Sequence, residues 1–188
     1  MKKLTVFAAL LTTLVLPGIG LTKSVGGVAL QESLPAKGIS MALSGAGIRS
    51  KYFIKLYVGS LYSAASPISA DAVLNGDRPS AIRLNIISNK ITSDKMIETI
   101  EEGFRKSAGA DLQKLRPEID DFMALFKGKI VEGDQFTMVS LPGVGVEAYK
   151  NNQLLNTIEG DDFRKALFGI WLGGDPADAK LKSAMLGQ

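Results

Sequence analysis

The sequence predicts an α+β protein built on an antiparallel sheet with helices covering one face. Strand-like alternation of apolar and polar residues is found early in the chain and again after residue 135, and two amphipathic helical segments lie between these regions. Two short helices close the chain. This order of elements is typical of an α+β fold, and the absence of repeats, low-complexity tracts or linkers indicates a single domain.

The first strands are predicted at residues 39–43 and 52–62, joined near Gly45-Ala46-Gly47. Glycines permit the tight turn or bulge that such a connection needs. A further strand with one buried face is indicated at residues 82–86, where apolar and polar residues alternate. The apolar residues are Ile82, Leu84 and Ile86, and the polar ones are Arg83 and Asn85.

Two helices are predicted in the middle of the chain. The first spans residues 93–107 behind a capping Thr92, and the second begins at Pro117, a residue favoured at the first position of a helix. Each presents an apolar stripe toward the core. The stripes are Met96, Ile97, Ile100 and Phe104 in the first helix, and Ile119, Phe122, Met123 and Phe126 in the second.

The last third of the chain predicts a β-meander followed by two short helices. Turns at Pro142-Gly143 and Asn151-Asn152 separate strands at 136–141, 144–149 and 154–158. The first helix, capped by Asp161 or Asp162, is expected to end at Leu172, before Gly173-Gly174. The second is expected to start at Asp175-Pro176 and to end near Leu186.

The N-terminus carries the features of a secretory signal peptide. Lys2 and Lys3 precede an apolar run, residues 4–16, which is too short to span a bilayer and is followed by Pro17. The small residues Gly18 and Gly20 match a signal-peptidase site. We therefore expect a signal peptide at 1–20, a mature domain at 21–188 without an integral membrane span, and a periplasmic or secreted protein.

Composition excludes several classes of function. The chain has neither cysteine nor histidine, which removes disulfides, thiol nucleophiles and the usual transition-metal ligands, so no metal and no cofactor are expected. Loss of Lys2 and Lys3 leaves 20 basic against 19 acidic residues. With no basic cluster, a nucleic-acid partner is not expected.

Two segments resemble chalcone isomerases, and more closely the exported bacterial chalcone isomerase-like proteins. The first is Gly45-Ala46-Gly47-Ile48-Arg49 with Phe53-Ile54-Lys55-Leu56-Tyr57-Val58-Gly59-Ser60-Leu61-Tyr62, and the second is Phe163-Arg164-Lys165-Ala166-Leu167-Phe168-Gly169-Ile170-Trp171-Leu172-Gly173. The resemblance implies an open-faced β-sandwich, in which a large antiparallel sheet carries a helical layer on one face and a ligand cleft lies between the two.

The resemblance also implies which residues form the site. In the plant enzymes of this family an arginine holds a phenolate while hydroxyl groups polarise a ketone, and the phenolate adds to its own enone. Arg49 matches that arginine, but the expected threonine falls at Tyr57 and the expected C-terminal threonine or serine falls at Ile170. The family tyrosine and asparagine fall near Thr92 and Thr99. Most of the catalytic set is therefore missing.

An arginine beside a tyrosine hydroxyl resembles instead the non-catalytic relatives that bind fatty acids. A guanidinium fork matches a carboxylate. The candidate ligand-binding residues are Arg49, Tyr57 and Thr99, and the expected ligand is a small amphipathic carboxylate or a polyphenol-like molecule. A haem, linked to some relatives with this fold, would lack a histidine ligand here. The apolar walls expected for the cleft are Ile54, Leu56, Ile97, Ile100 and Phe104.

Three functions remain open. A carrier requires an apolar cleft that contains Arg49, whereas an intramolecular lyase or isomerase requires a further polar group near it, such as Thr99, Lys55 or Tyr62. An interaction protein would have a filled cleft with Arg49 in solvent. Arg49 could also simply pair with a nearby carboxylate. In one straight strand Arg49 and Tyr57 would lie roughly 26 Å apart, so a shared site requires a hairpin or bulge between them.

Overall fold

The computed structural model describes residues 23–64 and 68–188, and at its centre is a seven-stranded antiparallel sheet. Each strand pairs with the next one in the chain, so the sheet is a continuous meander. Its strands are β3 (Ser33–Ala36), β4 (Ile39–Lys51), β5 (Ile54–Ser63), β6 (Ser80–Ile86), β7 (Gln135–Leu141), β8 (Gly145–Lys150) and β9 (Gln153–Glu159). Two short strands, β1 (Ser24–Val25) and β2 (Val28–Ala29), form a separate hairpin.

Five helices pack on one face of this sheet within the described residues. They are α1 (Ala70–Asn75), α2 (Ser93–Ser107), α3 (Arg116–Ala124), α4 (Asp161–Leu172) and α5 (Ala179–Met185), with a 3-10 turn at Gly109–Asp111. At the centre of the layer, the Phe104 ring lies 5.7 Å from that of Phe163 and 6.2 Å from that of Phe122. The predicted α+β fold, an antiparallel sheet with a helical layer, is confirmed.

The opposite face of the sheet is covered as well, near β3. A second, smaller apolar cluster lies there, including Met41 and Tyr62. Arg83, expected on an exposed face of β6, is only 7% exposed and donates hydrogen bonds to Thr137 (2.9 Å) and Gln31 (2.7 Å). The prediction of one buried face was therefore wrong for β6, because the segment around β3 folds back over it.

The predicted join at Gly45-Ala46-Gly47 was also wrong. Strand β4 continues through these glycines and the chain reverses at Tyr52-Phe53, where both residues have positive φ (49° and 66°). The glycines instead let α5 approach the sheet. A Cβ on Gly45 would lie 2.2 Å from the carbonyl oxygen of Ala184, and one on Gly47 would lie 2.7 Å from the Cβ of the same residue.

Helix α2 has the predicted bounds, and its cap is confirmed because the Thr92 hydroxyl accepts a hydrogen bond from the Lys95 amide (3.3 Å). The predicted meander is present within one residue at each end of its strands. The caps of α4 and α5 differ from those predicted. Gly160 precedes α4, whose first turn contains both aspartates, and Asp178 rather than Asp175 caps α5.

The predicted signal peptide, residues 1–20, lies outside the described residues. Within the described ranges, no helix is long and apolar enough to cross a membrane.

Candidate functional site

A cavity of about 470 Å³ lies between the β4–β5 hairpin and helix α2. Its volume is in the range of small-molecule sites. Six aliphatic or thioether side chains form its apolar wall: Ile54, Leu56, Ile91, Met96, Ile170 and Ala177. The expected cleft between sheet and helices is therefore open rather than filled by the protein's own side chains.

All three predicted site residues, Arg49, Tyr57 and Thr99, line this cavity. Arg49 and Tyr57 are direct partners across β4 and β5, because the chain reverses at residues 52–53. A bulge in the pairing follows Arg49. The hairpin thus brings to one place two residues that a single straight strand would hold far apart.

The guanidinium of Arg49 is anchored on one side only. Its Nη1 donates to Asp178 Oδ2 and to the carbonyl of Ser50, each at 3.1 Å. Every side-chain hydrogen bond of Arg49 within the described part of the chain comes from Nη1, which leaves Nε and Nη2 for a ligand. Arg49 therefore does pair with a carboxylate, as one alternative expected. The same side chain also lines the cavity.

Asp178 has two roles, as partner of Arg49 and as cap of α5. Its Oδ1 accepts a hydrogen bond from the amide of Leu181 at 3.0 Å. Burial alone would raise the pKa of the Asp178 carboxyl, but the bonds from the Leu181 amide and from Arg49 outweigh it and hold the pKa below its ordinary value. Asp178 is therefore ionised at neutral pH and fixes the position of the guanidinium.

Tyr57 is 7% exposed, and its hydroxyl accepts a hydrogen bond from Trp171 Nε1 at 3.0 Å. Burial raises the pKa of the Tyr57 phenol. The phenol therefore stays protonated at neutral pH, and since it accepts the bond from Trp171, its own proton remains for an acceptor in the cavity.

Several expectations about neighbouring residues were wrong. Ile100 and Phe104 lie in the main core, with Ile97 packed against it, because α2 turns these side chains toward α3, α4 and the sheet rather than toward the cavity. Tyr62 is buried on the opposite face of the sheet, and Lys55 is exposed outside the cavity lining. Of the polar groups expected near Arg49 for an isomerase, Thr99 alone lines the cavity.

The cationic side chains of the cavity, apart from Arg49, were not among the predicted site residues. Arg49 is joined by four lysines, against three acidic residues, Glu98, Glu102 and Asp175. This excess favours an anionic ligand. Helical spacing on α2 is a signal that could have indicated some of them, since Lys95, Thr99, Glu102 and Lys106 recur every three or four residues. The lysines are Lys51, Lys90, Lys95 and Lys106.

The described residues contain no group of three or more acidic, histidine or cysteine side chains that could hold a metal ion.

A family model described as chalcone isomerase-like matches residues 22–187. A solved structure, the fatty-acid binding protein of Arabidopsis thaliana, superimposes with a TM-score of 0.66 at 18% sequence identity, covering 85% of this chain and 92% of that one. At this identity the similarity shows a shared fold. None of the curated proteins matches the sequence.

Proposed function

Because the chain belongs to the chalcone isomerase-like family, with the family match covering residues 22–187, we propose that it binds a small amphipathic carboxylate, such as a fatty acid, in the cavity beside Arg49. The observation that carries the proposal is the cross-strand pairing of Arg49 and Tyr57 inside a cavity of about 470 Å³. The fatty-acid binding protein that shares the fold supports it.

The geometry suits a carboxylate. The Nε and Nη2 groups of Arg49 face no partner within the described residues, and together they can donate to both oxygens of one carboxylate. The Tyr57 hydroxyl supplies a further donor. Asp178 keeps the guanidinium in place without using these two nitrogens, so the anchor is oriented before the ligand arrives.

The apolar wall suits the remainder of such a ligand. Ile54 and Leu56 come from β5, Met96 from α2 and Ile170 from α4, so three elements contribute to one surface. An acyl chain removed from water by this wall gains roughly 0.8 kcal/mol for each buried methylene group. An aromatic ring of a polyphenol would be accommodated by the same surface.

The isomerase alternative has less support from the site. Ile170 lines the cavity at the position where the resemblance to the plant enzymes requires a threonine or serine, and its side chain cannot polarise a ketone. Thr99 is the remaining hydroxyl candidate on α2. We therefore place binding ahead of catalysis.

We also propose that the protein acts outside the cytoplasm, in the periplasm or as a secreted protein, on the basis of the signal peptide expected at residues 1–20. Expression of the full chain in a bacterium, followed by fractionation and intact-mass measurement, tests this. A periplasmic or extracellular species shortened by the leader supports export, and an uncut cytoplasmic species contradicts it.

The binding test compares palmitate with hexadecanol, which has the same chain but no charge, in vesicle-free solution. Trp171, the single tryptophan of the chain, bonds to Tyr57 at the cavity and reports occupancy by fluorescence. We expect palmitate to bind at least tenfold more tightly than hexadecanol, and Arg49→Gln to remove this difference. Equal affinities for the two ligands in the parent would contradict the proposal.

Two control variants make the result specific. Arg78→Gln removes an exposed arginine outside the cavity lining and should leave both affinities unchanged. The double variant Arg49→Gln with Asp178→Asn avoids an unpaired carboxylate at α5 and should bind palmitate as weakly as Arg49→Gln. If a 2′-hydroxychalcone is cyclised by the parent and not by Arg49→Gln, the isomerase alternative replaces the carrier.

A further inference from the structure

The tip of the β4–β5 hairpin exposes aromatic side chains. Tyr52 is 83% exposed, Phe53 is fully exposed, and Ile54 beside them is 44% exposed. Strand β5 pairs with β6 only from Tyr57 onward, so the tip extends roughly 13 Å beyond the end of β6, at about 3.3 Å per residue. Among the described residues, the largest exposed aromatic groups therefore lie on a projecting loop.

The backbone at this tip is unfavourable for the residues that occupy it. Tyr52 and Phe53 have φ values of 49° and 66°, and the Asn151-Asn152 turn has nearly the same values, 50° and 66°. Asparagine and glycine tolerate this conformation, whereas aromatic residues rarely adopt it. Local turn preference thus does not explain Tyr-Phe, which indicates a role for the exposed rings.

Lysines surround the tip. The Ile87 amide bonds to the carbonyl of Leu56 and the Gly133 amide to that of Ile86, which places the loops before α2 and β7 at the same end of the sheet as the tip. Segments 51–55, 87–95 and 127–132 carry six exposed lysines against two acidic residues, Asp94 and Glu132. The lysines are Lys51, Lys55, Lys90, Lys95, Lys127 and Lys129.

We propose that this end of the molecule docks on an anionic lipid bilayer, with Phe53 inserted at the interface. Aromatic rings partition into the boundary between headgroups and acyl chains, and lysines around them are attracted by anionic headgroups. Tyr52 and Ile54 belong to both the tip and the cavity lining, so docking brings the cavity next to the lipid. Transfer of a fatty acid between bilayer and cavity rests on the proposed function, whereas the docking is independent of it.

The test uses flotation of the mature protein with phosphatidylcholine vesicles and with vesicles in which a third of the lipid is phosphatidylglycerol. We expect binding to the anionic vesicles that weakens as salt increases. Phe53→Gly should reduce this binding at least tenfold. This variant suits the test because Phe53 lies outside the cavity lining and glycine favours its backbone conformation, so the fold is retained.

Val144→Ser is the matched control, since Val144 is 48% exposed at a turn at the opposite end of the sheet, and it should not change vesicle binding. Absence of binding to anionic vesicles, or equal binding by Phe53→Gly, would overturn the proposal. The proposal would also be overturned if the parent dimerised without binding vesicles and Phe53→Gly lost the dimer. The tip would then be a contact with a second copy of the chain.

The same preparations separate the two proposals. Palmitate affinity in vesicle-free solution should be the same for the parent and Phe53→Gly. A variant that binds palmitate but not vesicles supports docking as a distinct property. If the parent binds anionic vesicles but no palmitate, docking stands and the proposed function fails.

Discussion

Trp171 and Tyr57 are 114 residues apart in the chain, and the indole nitrogen of one donates to the hydroxyl of the other at 3.0 Å in the core. The bond joins α4 to β5 directly beside the cavity. Because Tyr57 accepts this bond, the orientation of its phenol depends on the helix as well as on the strand. The position of the Tyr57 ring in the cavity wall thus depends on how α4 packs in the helical layer.

Trp171→Phe should destabilise the fold by about 1–3 kcal/mol, since it removes the bond and part of a buried ring. Urea unfolding followed by circular dichroism measures this, because the variant lacks the fluorescent reporter. A double-mutant cycle with Tyr57→Phe should give a coupling energy of about 1 kcal/mol. Additive effects of the two substitutions would show that the bond contributes nothing to stability.

Arg164→Met should destabilise the protein by about 3 kcal/mol, because Arg164 holds α1 against α4 and is 2% exposed. Its Nη1 and Nη2 donate to the carbonyls of Val73 and Leu74, each at 3.0 Å, and its Nε donates to Asp161 at 2.9 Å. Lys165→Met, at the exposed neighbouring position, should change the urea midpoint little. Similar midpoints for both variants would refute this assignment.

Gly45→Ala should lower the unfolding free energy by about 1–3 kcal/mol and weaken palmitate binding. The added methyl group would meet the Ala184 carbonyl oxygen at 2.2 Å and displace α5, whose capping residue Asp178 holds Arg49. Gly128→Ala is the control, because nothing lies within 4 Å of a Cβ there. Thermal unfolding and a palmitate titration of both variants measure the two effects. Equal stability and equal palmitate affinity in the two variants would contradict this prediction.

Asp134 should contribute to the pH dependence of stability. Burial alone would raise its pKa, but bonds from Asn151 (3.0 Å), Lys150 (2.9 Å) and the Val131 amide (3.0 Å) outweigh it and place the pKa below its ordinary value of 3.8. A lowered folded-state pKa gives stability that is present above pH 3.8 and is lost as the pH falls through the folded-state value.

We therefore expect the difference in melting temperature between the parent and Asp134→Asn to be largest at pH 6 and to shrink by pH 2. Calorimetry across this range measures it. Asp121→Asn, at an exposed position on α3, is the reference variant, because it removes one carboxylate away from Asp134. A difference that stays constant with pH would exclude titration of Asp134 as the cause.

Local signals predicted the elements that depend on local interactions. Helix α2 has a cap, a strong apolar stripe and favourable charge order, and its predicted bounds match the structure. The meander was predictable because asparagine, proline and glycine are typical turn residues, and Asn151-Asn152 and Pro142-Gly143 lie at its turns. Residue types with clear turn or cap preferences thus located most boundaries.

The missed features depend on contacts that are distant in sequence. The turn at Tyr52-Phe53 contains residues that favour strands, so the pattern extended the strand through it. Gly45 and Gly47 resembled a turn, whereas their role is to admit α5. Resemblance to a family located Arg49 and Tyr57, but Asp178 lies 129 residues from Arg49 and no local pattern connects them.

Because Arg49 and Asp178 are distant in the chain, the ribosome adds Asp178 well after Arg49. At a synthesis rate of roughly 5–20 residues per second, a ribosome adds Asp178 about 6–26 seconds after Arg49, a gap of 129 residues. Until then the hairpin has neither its ionic partner nor the helix that covers its glycines. We therefore expect a nascent chain that ends before α5 to lack binding capacity, so that the cavity matures only after α5 has been added.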